Sequence, residues 1–325
     1  MRALVLESLG KVTLREVPIP KPKAGEVLLK VKSAPVHPSD LVFIQGQYGI
    51  KRDLPTIPGF EGAGEVVEAG EGVSLPKRVS CYISNSNGTW AQYAVAKATE
   101  CVPLPDQIPF DLGSCFYINP YTAEMFMELV RQGNHKAIIQ NAAASSLGRM
   151  MVKYCKHEGI KCLSIVRRKD RVTQLEEVGA EHILNSRDED FNEKLQEKCN
   201  ELGITAAFDP VGGEMAGTLL NSMKYGAELY LYGQLSGKPL ANLDIAGMLF
   251  QRKKVQGLWM PEWLGDKSQE YQETFRKRVF ELLPSVLKTE ILKGFDLEEY
   301  SQAMRFYKLN MSKGKIVFKP NESSN

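Results

Sequence analysis

Two short stretches carry residue types that could hold a charged nucleotide. The first is the turn Asn141-Ala142-Ala143-Ala144-Ser145-Ser146-Leu147-Gly148. Before it, Ala137-Ile138-Ile139-Gln140 reads as a buried strand. After it, Leu147, Met151, Tyr154 and Cys155 recur at helical spacing, Gly159 supplies a stop, and Cys162–Val166 is again β-rich. A strand, a tight turn of small residues and a helix let the backbone approach a pyrophosphate closely. The helix N-terminus then offers free N–H groups and a positive dipole end. Only Gly148 stands where a G-x-G-x-x-G pattern would have more glycines, so these residues alone read equally as a Ser/Ala-rich turn before an ordinary buried helix.

The second stretch is Arg167-Arg168-Lys169, at the end of the second strand. A site for NAD usually carries Asp or Glu there to accept the ribose 2′-hydroxyl. Cations cannot accept that bond but suit a 2′-phosphate, with guanidinium forks making bidentate contacts. A solvated charged turn is the ordinary alternative; the register favours the phosphate, and the expected cofactor is NADPH.

The elements that would position these stretches follow from periodicity. Residues 1–35 alternate β-rich runs with Pro and Gly punctuation, and β character continues through 65–70 and 78–104. Near residue 110 the period changes to helical, with helices expected at 110–116 and 122–132. From 136 to about 262 strands (137–140, 162–166, 180–184, 206–209, 227–232, 254–259) alternate with helices (147–158, 170–178, 188–202, 213–224), the pattern of a doubly wound parallel sheet. A long helix over 268–288, a helical stretch 295–307, a final β run 315–319 and a frayed end 321–325 complete the chain. The last run is expected to return to the first domain as a strand.

Bulk properties exclude several classes. At 325 residues, 43% hydrophobic and 25% charged, the chain can build two domains with sizeable cores. A net charge of +2, with basic residues only in short runs such as Arg252-Lys253-Lys254, gives no field suited to nucleic acid. No apolar stretch approaches the ~20 residues of a membrane span. Six cysteines (Cys81, Cys101, Cys115, Cys155, Cys162 and Cys199) form no C-x-x-C pair, which argues against a disulfide framework and a structural zinc lobe. Met1–Leu6 already reads as a strand rather than a leader, so the cytoplasm is the expected compartment.

Further stretches are His37-Pro38-Ser39-Asp40, Ile44-Gln45-Gly46-Gln47-Tyr48-Gly49, Pro58-Gly59-Phe60-Glu61-Gly62, Ile118-Asn119-Pro120-Tyr121-Thr122-Ala123 and Leu258-Trp259-Met260-Pro261-Glu262-Trp263. With the turn at 140–148, and in this order, they resemble the medium-chain dehydrogenase/reductase superfamily over essentially the whole chain. The resemblance is nearest to the zinc-free NADPH-dependent branch of mitochondrial-type trans-2-enoyl thioester reductases and quinone oxidoreductases. It implies an α/β architecture in which a GroES-like β domain surrounds an inserted Rossmann doubly wound parallel sheet. The expected divisions are a GroES-like catalytic domain over 1–121, a Rossmann NADPH-binding domain over 122–262, and a return to the catalytic domain over 263–325. It also implies a homodimer joined through the sixth strands.

Zinc-dependent relatives use an early Cys and the His of a G-H-E motif. Here Val36-His37-Pro38 holds no cysteine and Phe60 precedes Glu61, so no metal is expected. His37 and Glu61 read better as a loop histidine and a capped structural carboxylate. Without a metal, the enolate formed when hydride reaches a β carbon needs a hydrogen-bond donor, and the α carbon needs a proton. The resemblance gives that role to Tyr48, in Gln45-Gly46-Gln47-Tyr48. The bland alternative is a loop tyrosine packing its ring and wetting its hydroxyl.

The resemblance further places Asn119 near the nicotinamide ribose; Ala144, Ser145, Ser146, Leu147 and Gly148 at the pyrophosphate; and Tyr232, Gly233, Gln234 and Leu235 over the nicotinamide. It puts Leu258, Trp259 and Met260 at the rim of an acyl pocket, and Lys315 toward the cofactor. For Trp259 and Trp263, core packing or a dimer edge is an equal reading. Two departures stand out: His37 where the family commonly has Asn, and Ser146 in place of a loop glycine. The expected activity is NADPH-dependent reduction of a small-molecule acceptor, a trans-2-enoyl thioester or else a quinone or enone. A non-catalytic NADPH-binding protein is the reading from another class.

Overall fold

The computed structural model describes residues 1–321. Residues 322–325, part of the expected frayed end, lie outside the described residues. Asn321 itself is tied down, its amide donating to Val31 O and Gln92 O at 2.8 Å each. The chain divides into two compact units, Met1–Asn119 with Thr289 onward, and Pro120–Lys288.

In chain order the first unit holds β1 (Arg2–Ser8), β2 (Lys11–Glu16), β3 (Glu26–Pro35), α1 (Pro38–Ile44), β4 (Glu61–Ala69), β5 (Arg78–Tyr82), β6 (Tyr93–Lys97), β7 (Cys101–Pro103) and α2 (Phe110–Ser114). The helix α3 (Ile118–Gln132) begins in the last two residues of this stretch and runs on into the second unit, followed by β8 (Ala137–Gln140), α4 (Ser146–Glu158), β9 (Lys161–Val166), α5 (Asp170–Glu176), β10 (His182–Asn185), α6 (Phe191–Leu202), β11 (Ala206–Asp209), α7 (Gly213–Ser222), β12 (Glu228–Leu231), α8 (Ile245–Phe250), β13 (Lys254–Gly257), α9 (Met260–Gly265) and α10 (Gln269–Leu282). The chain then returns to the first unit as β14 (Ile291–Phe295), α11 (Tyr300–Asn310) and β15 (Lys315–Phe318).

The second unit is a six-stranded sheet in the order β10-β9-β8-β11-β12-β13, parallel at every pairing. All residues of β8 and β11 are buried, as strands covered by helices on both faces must be. Ile139, Leu163, Ile165, Ala207 and Leu229 of the sheet pack with Leu195 of α6 and Leu219 and Leu220 of α7. Strand order reverses between β8 and β11, which opens a crevice at the C-terminal ends of those strands.

The first unit is a seven-stranded sheet, β14-β15-β3-β4-β5-β7 with β6 on β3, beside the β1–β2 hairpin. The expected return of the chain's last β run takes the form of β15 pairing antiparallel with β3. Trp90 is fully buried in this core and its indole N–H donates to Pro35 O at 3.1 Å. Gly59, at φ +92°, lies beneath that indole, and a Cβ there would come within 2.4 Å of Trp90 Cδ1.

Three boundaries differ from the sequence reading, each because of a distant partner. The return to the first unit comes at Thr289 rather than 263, because α10 belongs to the second unit. Its Phe275 ring meets Tyr121 at 5.2 Å, and Arg278 reaches Glu158 at 2.9 Å. The helix expected from 122 starts at Ile118. Glu61 Oε2, on β4, accepts from the N–H groups of Tyr117 (2.9 Å) and Ile118 (3.0 Å), two of the donors a helix start leaves unpaired. Pro120 is compatible with a first turn, where its missing N–H costs nothing. Phe295 closes a strand instead of opening a helix, because β14 pairs in parallel with β15. Among the described residues no helix is long and apolar enough to cross a membrane.

Candidate functional site

The turn after β8 is fixed from several sides in the second unit. Ala143 N–H donates to Ile165 O (3.1 Å) on β9, and Asn141 Nδ2 donates to Asp209 Oδ1 (2.9 Å) at the end of β11. Gln140 Nε2 donates to both Gly148 O (3.0 Å) and Ser164 Oγ (3.1 Å). Ser145 is the N-cap of α4, its Oγ accepting from Gly148 N–H at 3.0 Å. A Cβ on Gly148 would fall 2.2 Å from Ala143 O, so the helix can approach the turn this closely only with glycine there. The cradle fits a diphosphate: a capped 13-residue helix presents its first turn at the strand-order reversal.

One strand over, the end of β9 carries the expected cations. Arg167, Arg168 and Lys169 line a cleft of about 770 Å³ with Asp170, Asn185, Arg187, Asp188, Glu189 and Asp190. Arg168 is committed to Asp170, with Nε and Nη2 donating at 2.9 and 2.7 Å. The guanidinium groups of Arg167 and Arg187 and the ammonium of Lys169 have no protein partner among the described residues and stand exposed. These three cations are the groups available to a phosphate. Arg187 was not anticipated from sequence. It lies in Asn185-Ser186-Arg187, just past β10, and the signal was the next-strand position of that tripeptide, since β10 pairs with β9.

The remaining second-unit residues sit at the same end of the sheet. Tyr232 follows β12, with its ring against Phe126 at 4.8 Å, and Gly233, Gln234 and Leu235 form an exposed loop. Leu258 and Met260 are buried after β13, and Trp259 between them is 37% exposed. Trp263 joins Tyr271 and Phe275 in an aromatic group, which is a packing role.

The first unit gathers a different set. His37, Asp40, Glu61 and Lys315 are all buried. Asp40 accepts from His37 N–H (2.7 Å) and Phe60 N–H (3.2 Å). Lys315 Nζ donates to His37 Nδ1 (2.8 Å) and to Val36 O (3.2 Å), so Nδ1 is the acceptor nitrogen of a neutral ring. His37 Nε2 is left in contact with Glu61 Oε1, without the alignment of a good hydrogen bond. Burial, then the Lys315 charge, pushes His37 well below the usual imidazole range. Burial lifts Glu61 to about 8 despite its two backbone donors, and lowers Lys315 to about 8. Lys315 is thus engaged inside the first unit. Among the described residues no group of three or more His, Cys, Asp or Glu is arranged to hold a metal ion.

Tyr48 lies close to this polar core. It is half-buried, its ring 5.1 Å from that of Phe60, and Phe60 continues into Tyr82 (6.2 Å) and Tyr82 into Tyr117 (4.4 Å, 9° between planes). Arg52 fixes the segment: its guanidinium lies over Phe43 and Phe60 at 5.1 and 4.9 Å. It also donates to Ile57 O, Ile83 O and Ser84 O. Asn119 is buried in the first turn of α3.

Comparison with known proteins agrees with this division. Residues 23–106 match the alcohol dehydrogenase GroES-like domain family, and residues 146–281 match the zinc-binding dehydrogenase family. The chain is 28% identical over 323 residues to a mitochondrial enoyl-[acyl-carrier-protein] reductase of Xenopus tropicalis, covering 94% of this chain and 91% of the relative. It is 30% identical over 277 residues to a protein of the same description from Caenorhabditis elegans, covering 81% and 79%. A crystal structure from Mesorhizobium loti, of a protein assigned as an NADPH:quinone reductase, superposes with a TM-score of 0.90 at 30% identity, covering 98% of each chain. With a GroES-like unit, a unit built on a six-stranded parallel sheet, and relatives of this similarity over its length, the chain belongs to the medium-chain dehydrogenase/reductase superfamily.

Proposed function

We propose that this protein is an NADPH-dependent reductase of activated carbon–carbon double bonds, and that its favoured acceptor is a trans-2-enoyl thioester. The observation that carries the reading is the seat of Tyr48, a half-buried phenol whose ring packs on Phe60, which Arg52 covers in turn. Bound NADPH supplies a hydride equivalent. Ser146, Leu147 and Gly148 at the start of α4 would hold its pyrophosphate, and Arg167, Lys169 and Arg187 its 2′-phosphate. The Tyr48 hydroxyl donates to the thioester oxygen as enolate charge develops, and it is a source for the α-carbon proton. The enoyl reductase relatives support the thioester.

The Mesorhizobium loti structure supports a second reading, a quinone or enone acceptor. Such an acceptor is already activated and depends less on a protein donor. The proposed partner is a second copy of the chain, along β13. That outer strand is largely exposed, and Ile245, Leu249 and Phe250 of the neighbouring segment are 71%, 68% and 78% exposed. The test is product analysis after incubation with NADPH and crotonyl-CoA or a simple quinone. Butyryl-CoA supports the thioester reading; a hydroquinone without butyryl-CoA supports the second. NADPH binding with neither product leaves a non-catalytic binding protein.

A further inference from the structure

Strands β5 and β7 pair antiparallel, with Val79 opposite Pro103, Ser80 opposite Val102 and Cys81 opposite Cys101. The Leu104 N–H donates to Arg78 O at 2.9 Å, which sets the phase of the ladder. Residues 78 and 104, then 80 and 102, are the hydrogen-bonded pairs. The pairs between them exchange no ladder bonds, and Pro103, which has no N–H, falls in one of these. Cys81 and Cys101 are the next. In a pair of this kind the Cα atoms stand ~4.5 Å apart and the two side chains lie closest together. Disulfides span Cα separations of about 4.4–6.8 Å, so the sheet already holds these residues at bridging distance.

Both cysteines are free thiols, each 4% exposed and set in the same hydrophobic core. Among the described residues no other two cysteines face each other across a sheet. Strand β7 is three residues long and ends its sheet, with β5 on its one paired side. A short edge strand is an element that opens locally while the rest of the fold stays closed.

We propose that Cys81 and Cys101 are a redox pair, oxidised by a peroxide to a cross-strand disulfide that ties β7 to β5 and is opened again by a thiol. The Cys101 sulfur, as thiolate, attacks one peroxide oxygen. The S–O bond forms as the O–O bond breaks, and hydroxide leaves. The Cys81 thiol then gives up its proton, and its sulfur displaces a second hydroxide from the Cys101 sulfenic acid to form the S–S bond. The two thiol protons and the two hydroxides make two waters. The cysteines lose two electrons and the peroxide gains them. Burial pushes the Cys101 thiol up to about 12 and the Cys81 thiol well above its usual range, where the Cys101 sulfur is the next cause. In the closed sheet both thiols therefore keep their protons, and oxidation waits on the opening of β7. Which acceptor the protein reduces has no bearing on this chemistry.

The test is hydrogen peroxide treatment of the folded full chain, then alkylation, digestion and mass spectrometry with and without dithiothreitol. Cys81 and Cys101 should leave the alkylated pool together. They should reappear as one linked peptide pair that dithiothreitol separates, with the circular dichroism of the protein unchanged. Urea below the unfolding transition should speed the bond by favouring the open strand. In Cys81→Ser the Cys101 sulfur has no partner and should be recovered as its sulfenic or sulfinic acid. Should that variant fail to fold, the peptide map of the wild type decides alone. Cys81 and Cys101 both still open to alkylation after peroxide overturn the proposal. Either one linked to a different cysteine overturns it too, as does a bond that forms only once the chain has unfolded.

Discussion

Lys315 Nζ stands 2.8 Å from His37 Nδ1, and both side chains are buried. The contact joins the last strand of the first unit to the loop before α1, 278 residues apart in sequence. It fixes the imidazole tautomer and leaves the other ring nitrogen against Glu61. Asp40 completes the cluster, so four ionisable groups are buried together. Removing water from such groups costs more than any one pair regains, and the cost shows as displaced titrations.

The first prediction concerns Glu61. Its usual value is 4.5, and in the fold it keeps its proton up to about 8. Between those values the native state binds a proton that the unfolded chain has lost. The stability Glu61 contributes is therefore fully present below pH 4.5 and is lost as pH rises toward 8. Glu61→Gln cannot titrate. Chemical denaturation from pH 4 to pH 8.5 should show wild type losing stability relative to the variant as pH rises. A difference that stays constant, or that grows in favour of wild type, would contradict the account.

The second prediction concerns the turn after β8. A Cβ at position 148 would overlap the Ala143 carbonyl, which is backbone and can yield only by moving the turn. Gly148→Ala should weaken NADPH binding by about tenfold or more, a loss of ~1.4 kcal/mol. Isothermal titration with NADPH measures it directly, and an unaltered Kd would show that the turn is not the cradle.

The third prediction separates the two phosphate sites. Arg167→Gln should weaken NADPH about tenfold to a hundredfold, the ~1.5–3 kcal/mol of hydrogen bonds to a charged group, and leave NADH nearly unchanged. Arg187→Gln should act in the same sense. Arg168→Gln should matter less, since Arg168 is already paired with Asp170. Equal losses for both cofactors would place these cations elsewhere than at the 2′-phosphate.

A fourth prediction addresses assembly. Phe250→Asp places a charge on the exposed apolar segment beside β13 and should shift the protein from dimer to monomer in light scattering. A wild type that is monomeric at the same concentration rejects the dimer itself.

Much of this architecture was legible because its signals are local. The six parallel strands follow from short apolar runs bounded by turns, and the place of α4 from the helical spacing after the small-residue turn, while its cap by Ser145 appears only in the structure. What escaped depends on partners far away in sequence. The start of α3 is set by Glu61, whose carboxylate comes from another strand. Strand β14 exists because β15 lies beside it, and α10 joins the second unit through Phe275 and Arg278. Arg187 and Tyr82 carry no motif of their own; only strand pairing brings one beside Arg167 and the other into the stack with Tyr48. The reading of Lys315 as a basic residue near the chain's end was legible, while its burial against His37 was not.

The central claim is that Tyr48 serves the reduction of an enoyl thioester, and steady-state NADPH oxidation with crotonyl-CoA tests it most directly, wild type beside Tyr48→Phe. The account predicts turnover in the wild type that falls ~10²-fold or more in the variant, the scale of losing one oxyanion donor. Crotonyl-CoA left untouched by the wild type, with quinone reduced equally well by both proteins, would contradict it.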